Sequence, residues 1–255
     1  MIIKIYKLVL IFFSLVLSLN AKEVRITGHP DYPPIVWKKD GQLVGSAVTI
    51  VKKALENIGY KVKLVPIDTW GRAQEEVRLG RVDILLPPYK TPERERVYAF
   101  PEKPFLMDST ALFYKEGNKV KFEEFKDLKA YSGVAIINDS FGEEFDKADE
   151  KYKLLKRLKK TEQCFQYLYK DRADYVVAGQ NAASVVLNKI GLAHKIHVHE
   201  KLVVETGMFT AISKKSKYNT SEFKTKFFKE VEKLISAKFD LKATSEALKL
   251  VKASN

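Results

Sequence analysis

One cysteine in 255 residues, Cys164, excludes an internal disulfide, so an exported chain of this sequence has only its core to hold it together. Set beside Phe165 on a helix-like segment, Cys164 reads as a small buried apolar residue. Histidine is scarce as well. Three of the four residues crowd into 194–199, with Glu200 adjacent. His197 and His199 would share one side of a strand, but no fourth ligand of separate origin accompanies them, so incidental histidines at a strand edge are expected and no metal. Beyond residue 19 no apolar run is long enough to cross a membrane. There is no GxxxxGK[ST] loop, no GxGxxG turn and no GxSxG elbow. Zinc-finger spacing, a basic arm and aromatic-basic ribbons are also lacking, so no nucleic-acid partner is expected despite a net charge of +13.

What is present is the composition of a globular protein: 45% apolar residues, with 15 Phe and 12 Tyr for a core. The length suits one large domain or two small ones. Lys4 and Lys7 precede an apolar run over 8–19, and Asn20-Ala21 follows. That order of charged, apolar and small residues predicts a signal peptide over 1–21, cleaved near Ala21, and a soluble mature protein exported to the periplasm. No Cys near Ala21 offers a lipid anchor. Lys4 and Lys7 carry two of the charges, so the mature chain keeps +11, a field able to steer anions.

Strand and helix signals then alternate. Strands are expected over 24–28, 61–67 and 82–86, with helices over 46–58 and 70–79 between them. The second half repeats this with strands over 133–137, 175–178 and 209–213, helices over 161–169 and 180–190, and a largely helical tail over 222–250. Ser140-Phe141-Gly142-Glu143 has the spacing of a capping box. The order implies an α/β fold with mostly parallel sheets covered by helices. TWGRAQEEVRLGRVDILLP and TEQCFQYLYKDRADYVVAG echo each other as helix, Arg-x-Asp and strand, which reads as two similar lobes. Asp83 and Asp174 would satisfy backbone donors where their strands begin.

The segment 80–100 carries the most. An apolar run stops at Pro87-Pro88, and Thr91-Pro92-Glu93-Arg94 starts a helix with Thr as N-cap and Pro in the first helical position. A cation in a first turn works against the helix dipole. Arg94 is thus either a solvated arginine or a guanidinium placed to grip a carboxylate at two points.

These pieces resemble the family 3 extracellular solute-binding proteins, of the type II periplasmic binding fold that serves polar amino-acid ABC importers. The likeness rests on Tyr32-Pro33-Pro34, Asp40-Gly41-Gln42-Leu43-Val44-Gly45, Trp70, Gly80-Arg81-Val82-Asp83-Ile84, Lys90 to Arg94, Phe100 to Phe105, Leu128 with Gly133 to Ile136, and Gly207 to Ile212. It implies two Rossmann-like lobes joined by a two-strand hinge, with lobe 1 over 22–112 plus 207–255 and lobe 2 over 113–206. The solute would sit between them at the carboxyl ends of the strands. It further implies that Arg94 holds the solute's α-carboxylate, that Tyr32 and Trp70 flank the solute, and that Tyr89 faces the cleft. Arg72 would add a second cationic contact, and Asn138, Asp139 and Ser140 would offer backbone donors at a helix start. The expected partners are a small carboxylate, possibly an amino acid, and a membrane permease. A monomer without cofactor is expected.

Three departures narrow the resemblance. Pro87 and Pro88 stand where the family commonly has small hydroxyl residues. Gly179 takes the position of an acid that would meet the solute's amino group, leaving the amides of Gln180 and Asn181 as acceptors. His29 stands where binders of basic amino acids are acidic. Together they argue against a lysine- or arginine-type solute. Two other readings stay open: a dehydratase of the cyclohexadienyl type on the same fold, with Glu143, Asp139 or Glu205 as its general acid, and a sensing protein for a separate receptor.

Overall fold

The computed structural model describes residues 22–253, so the expected signal peptide lies outside the described residues. The chain opens with β1 (Glu23–Gly28), whose Val24 and Ile26 are fully buried. A small antiparallel meander follows: β2 (Asp31–Tyr32), β3 (Val36–Lys39) and β4 (Gln42–Val44). Asp40 and Gly41 link β3 to β4 with φ of 50° and 78°. Two successive left-handed residues give the tight turn that matches strand twist, and Asp-Gly tolerates it. Then come α1 (Ser46–Asn57), β5 (Lys61–Leu64), α2 (Trp70–Arg78), β6 (Ile84–Leu86), α3 (Pro92–Val97) and β7 (Tyr98–Ala99). α1 buries Ala47, Ile50, Val51, Ala54 and Leu55, the stripe that its spacing predicts. Thr69 and Thr91 cap α2 and α3, accepting from the N–H groups of Arg72 and Arg94 at 3.3 Å.

The remaining elements are β8 (Leu106–Lys115), a 3₁₀ turn (Phe125–Ala130), β9 (Gly133–Ile136), α4 (Glu143–Tyr152), β10 (Leu155–Leu158), α5 (Thr161–Tyr169), β11 (Tyr175–Gly179), α6 (Gln180–Lys189), β12 (Ile196–Met208), β13 (Ala211–Ser213), α7 (Ser221–Ser236) and α8 (Phe239–Lys252). Two five-stranded sheets result, with orders β5-β1-β6-β13-β7 and β10-β9-β11-β8-β12. In each, three parallel strands adjoin two antiparallel ones. The chain passes from the first sheet to the second between Ala99 and Leu106, and returns between Met208 and Ala211. Helices α7 and α8 bury Phe223, Phe227, Val231 and Ala243 in the same core as Val24, Ile26 and Leu55. The second sheet has its own cores, one around Phe165 and Val176 and one around Phe145 and Tyr175.

The internal echo has a shared physical basis. Asp83 accepts from the Arg25 N–H at 2.9 Å, and the Asp83 N–H returns a bond to the Arg25 carbonyl at 3.0 Å. Asp174 accepts from the Ser132 N–H at 2.7 Å, and its own N–H bonds the Ser132 carbonyl at 2.8 Å. In both halves an Asp before a parallel strand locks it to its neighbour, as the Arg-x-Asp repeat suggested.

One local expectation is corrected. The capping box does not form: α4 starts at Glu143 with Gly142 as its cap at φ 92°, and no side chain caps it. Ser140 bonds the Asp146 carboxylate instead, and the Phe141 N–H donates to the other oxygen of that group at 2.8 Å. His197 and His199 do share one side of their strand, both rings lying against Tyr114 with centroids at 5.9 and 6.3 Å, His199 buried and His197 exposed.

Candidate functional site

The parallel strands of both sheets aim their carboxyl ends at one place. His29 and Tyr32 follow β1, Pro87 and Tyr89 follow β6, Asp139 to Phe141 follow β9, and Gly179 ends β11. With Trp70 and Arg94 they line one pocket. Of the residues singled out in the sequence, Arg94, Trp70, Tyr32, Tyr89, Asp139 and Ser140 are on its wall. Arg72 is exposed on α2, its N–H spent on the Thr69 cap. Asn138 is exposed on the neighbouring open cleft, and Gln180 begins α6; neither is on the pocket wall.

Arg94 is the dominant feature. It is 8% exposed, in the short helix α3 that starts at Pro92. Nη1 donates to the Tyr89 carbonyl at 3.1 Å and Nη2 to Gln74 Oε1 at 3.2 Å. The guanidinium lies over the Trp70 ring, 5.8 Å from its centroid. Among the described residues no carboxylate pairs with it. Burial lowers its proton affinity, opposed by the fields of Asp139, Tyr98 and Asp146. A buried cation held only by neutral acceptors and a ring face is short of negative charge.

His29, 4% exposed, packs on Trp70 and Tyr32 with ring centroids at 5.0 and 5.5 Å. Its Nδ1 accepts from the Asp31 N–H at 3.0 Å, which leaves the proton of a neutral ring on Nε2. That Nε2 faces Asp139 Oδ1 at 3.5 Å across the cleft. Two further contacts join the same facing surfaces. Asp31 Oδ2 accepts from the Thr161 N–H at 3.0 Å, filling the N-cap role at α5, where Lys160 offers no cap of its own. Gln74 Nε2 reaches the Asn138 carbonyl at 3.3 Å. Gly71 lies directly against the Asn138 side-chain amide, so a Cβ there would push that amide aside.

Sequence reasoning passed over Asp108. It is 1% exposed, on β8 just behind the wall formed by Tyr32, Tyr89 and Gly179. Both tyrosine hydroxyls donate to its Oδ2, that of Tyr89 at 2.5 Å. The signal was available: a lone acid inside the apolar strand FLMDSTALF is costly to bury unless it has partners. Gln74 and Phe141 were also missed, because the helix face of one and the loop path of the other are set by tertiary packing.

The model of bacterial extracellular solute-binding proteins, family 3, matches residues 24–238. No curated protein sequence matches the chain. Solved structures share its architecture. A histidine kinase sensor domain with similarity to periplasmic binding proteins has a TM-score of 0.77 at 17% identity, over 90% of this chain and 97% of that one. The amino acid ABC transporter substrate-binding protein AbpA from Streptococcus pneumoniae, bound to L-arginine, has a TM-score of 0.71 at 20% identity, over 90% and 95%. An ancestral arginine-binding protein bound to glutamine has a TM-score of 0.70 at 21% identity, over 88% and 96%.

Proposed function

The chain belongs to the bacterial extracellular solute-binding proteins of family 3, and from that membership we propose that it captures an amino acid or similar small carboxylate between two closing lobes and presents it to the permease of an ABC importer. The observation that carries this reading is the buried Arg94 guanidinium on the pocket wall, which no carboxylate pairs among the described residues. A solute carboxylate would complete it by two parallel N–H···O bonds. Trp70, His29, Tyr32 and Phe141 supply ring surface for the rest of the solute. The separate sheets and cores support two lobes, but β8 (Leu106–Lys115) belongs to the second sheet, so the change of lobe falls between Ala99 and Leu106 and not at the expected 112, with the return between Met208 and Ala211. A solute touching both lobes only in the closed form shifts the equilibrium toward closure. The contacts Asp31–Thr161 and Gln74–Asn138 then latch that form. Periplasmic export and a monomeric state accompany this reading.

The experiment is a thermal-shift screen of amino acids, dicarboxylates and small cyclic acids on the mature chain. A solute at a thousandfold over Kd should add about 4 kcal/mol of stability, and Arg94→Ala should abolish the shift. No shift from any of them would overturn the reading. An enzyme on the same fold would need a general acid at the solute. Of the acids named for that role, Asp139 lines the pocket, while Glu143 and Glu205 are exposed away from it. Phenylpyruvate formed from prephenate would favour the enzyme.

A further inference from the structure

Helix α8 (Phe239–Lys252) packs on α1 and α7 and buries Ala243 and Ala247 against them. Its opposite face carries Leu241, 63% exposed, and Leu248, 39% exposed. Seven residues apart, they lie one above the other on one side of the helix. Positions 238, 241, 242, 245, 248, 249 and 252 follow at steps of three and four, which makes one continuous helix face, and all of them are exposed. Apart from the two leucines and Ser245, that face holds only lysines: Lys238, Lys242, Lys249 and Lys252. Among the described residues none of the four forms an ion pair. Glu246, the exposed acid of this helix, stands beside the face and not on it.

Helix stability does not account for this pattern. Lys249 and Lys252 are in the last turn, where the helix dipole favours cations, but Lys238 and Lys242 are at the start, where it opposes them. An outward leucine gains nothing from the core. The neighbouring α7 shows what a solvated outer face looks like in the same protein. Among the described residues it exposes no large apolar side chain, and Lys226 pairs with Glu222 at 2.8 Å and Lys233 with Glu230 at 3.6 Å. The family match ends at residue 238, so the stripe of α8 lies outside the segment that carries it.

Leucines set among unpaired lysines are the two components of a helix that lies in a membrane surface. The apolar side chains enter the boundary between headgroups and acyl chains, and the cations meet anionic headgroups. A second copy of this chain would bring the same positive face and a net charge of the same sign, which opposes pairing through α8. The face has no aromatic ring on which a nucleic-acid base could stack. We propose that α8 docks the mature chain reversibly on an anionic phospholipid bilayer, with Leu241 and Leu248 in the interface and the four lysines against lipid phosphates. Two leucines make a shallow anchor, so attachment needs both components and yields to salt. The docking does not depend on which solute the pocket holds.

Cosedimentation of the mature chain with vesicles tests this. Vesicles of phosphatidylcholine with about one-third phosphatidylglycerol should bind it, and phosphatidylcholine alone should not. Salt at roughly 1 M should release it. Replacing the four lysines together, Lys238→Gln, Lys242→Gln, Lys249→Gln and Lys252→Gln, should weaken binding about fivefold per lysine and several hundredfold in all. Leu241→Ser with Leu248→Ser should weaken it by about tenfold or more. Four exposed lysines of the other sheet's lobe serve as the control: Lys121→Gln, Lys126→Gln, Lys129→Gln and Lys170→Gln remove the same charge and should leave binding within about threefold. All the changed side chains are exposed, and each variant's melting temperature checks its fold. No binding to the anionic vesicles overturns the proposal, as does equal weakening by the two lysine sets, which would mean that net charge alone is read. Binding that survives the leucine change overturns it too. Retention on dextran sulfate without vesicle binding would identify an acidic polymer in place of a bilayer and count against it equally.

Discussion

Replacing Arg94 by methionine separates function from stability. Methionine keeps most of the length and volume and adapts to an irregular apolar site. The loss to the folded chain is two hydrogen bonds, to the Tyr89 carbonyl and to Gln74 Oε1. Bonds from a charged donor are worth about 1.5–3 kcal/mol each. Against them stands the desolvation of a guanidinium, which costs several kcal/mol even after relaxation. Burial is the largest influence on this group and disfavours its charge. The two sides nearly cancel, so the solute-free variant should melt within roughly 4 °C of the wild type. Binding tells a different story. A solute carboxylate deprived of a buried charge partner loses about 3–5 kcal/mol, or roughly two to nearly four orders of magnitude in Kd. Thermal unfolding with and without solute reads both effects in one assay. A solute-free melting temperature lowered by more than about 10 °C would mean that the guanidinium holds the fold, and the argument from unpaired charge would fail.

Asp83→Ala should cost about 3 kcal/mol, because the buried carboxylate serves the Arg25 N–H, the Arg25 guanidinium and the Ser216 hydroxyl, whereas Asp174→Ala, at an exposed site with two bonds to Ser132, should cost only about 1 kcal/mol by urea unfolding. Burial pushes the Asp83 carboxyl up, but Arg25 and Ser216 outweigh it and hold it below its ordinary value. Its stabilisation is therefore complete above the unfolded-chain value of about 4 and is lost as pH falls below that, so acid unfolding curves should flatten in Asp83→Asn. Asp31→Ala removes the cap on α5 from across the cleft; calorimetry should show solute affinity weakened by roughly 1 kcal/mol with the melting temperature of the solute-free chain nearly unchanged. Burial pushes the Cys164 thiol up to about 12, so a disulfide reagent at pH 8 should label it only on unfolding, and fast stoichiometric labelling of the native chain would contradict its burial.

Much of this architecture is legible in the sequence because its cues are local. The stripe of α1, the Thr caps of α2 and α3, and the Arg-x-Asp pairs each lie within one element and its flanks. The helix expected over 161–169 is α5, Thr161–Tyr169. The long strand β8 and the full length of β12, of which only the stretch at His197–His199 was expected, were not foreseen, since their pairing depends on partners distant in the chain. The capping box at Ser140 failed for a related reason: Asp146, inside the helix, outcompetes the local cap for the Ser140 hydroxyl. Arg94 was readable because a cation in a first helical turn is locally out of place. The latch between Asp31 and α5 was not, because it spans the cleft.

Gly179 shows what a strand-by-strand reading cannot see. Along the chain it is a position with no side chain, and the absence of an acid there looked like the absence of a charge partner. In the sheet, Gly179 pairs with Thr110, two residues beyond Asp108 on β8. Neighbouring strands lie only about 5 Å apart, so a carboxylate on β8 can occupy space that a side chain on β11 would have filled. The missing Cβ and the buried acid are one structural choice: the glycine clears the volume into which Tyr32 reaches to meet Asp108. Putting back the side chain at Gly179 should therefore damage the site as surely as deleting the acid, because the alanine Cβ displaces the Tyr32 hydroxyl from its carboxylate. Equal solute affinity in Gly179→Ala and wild type would show that this contact has no part in binding.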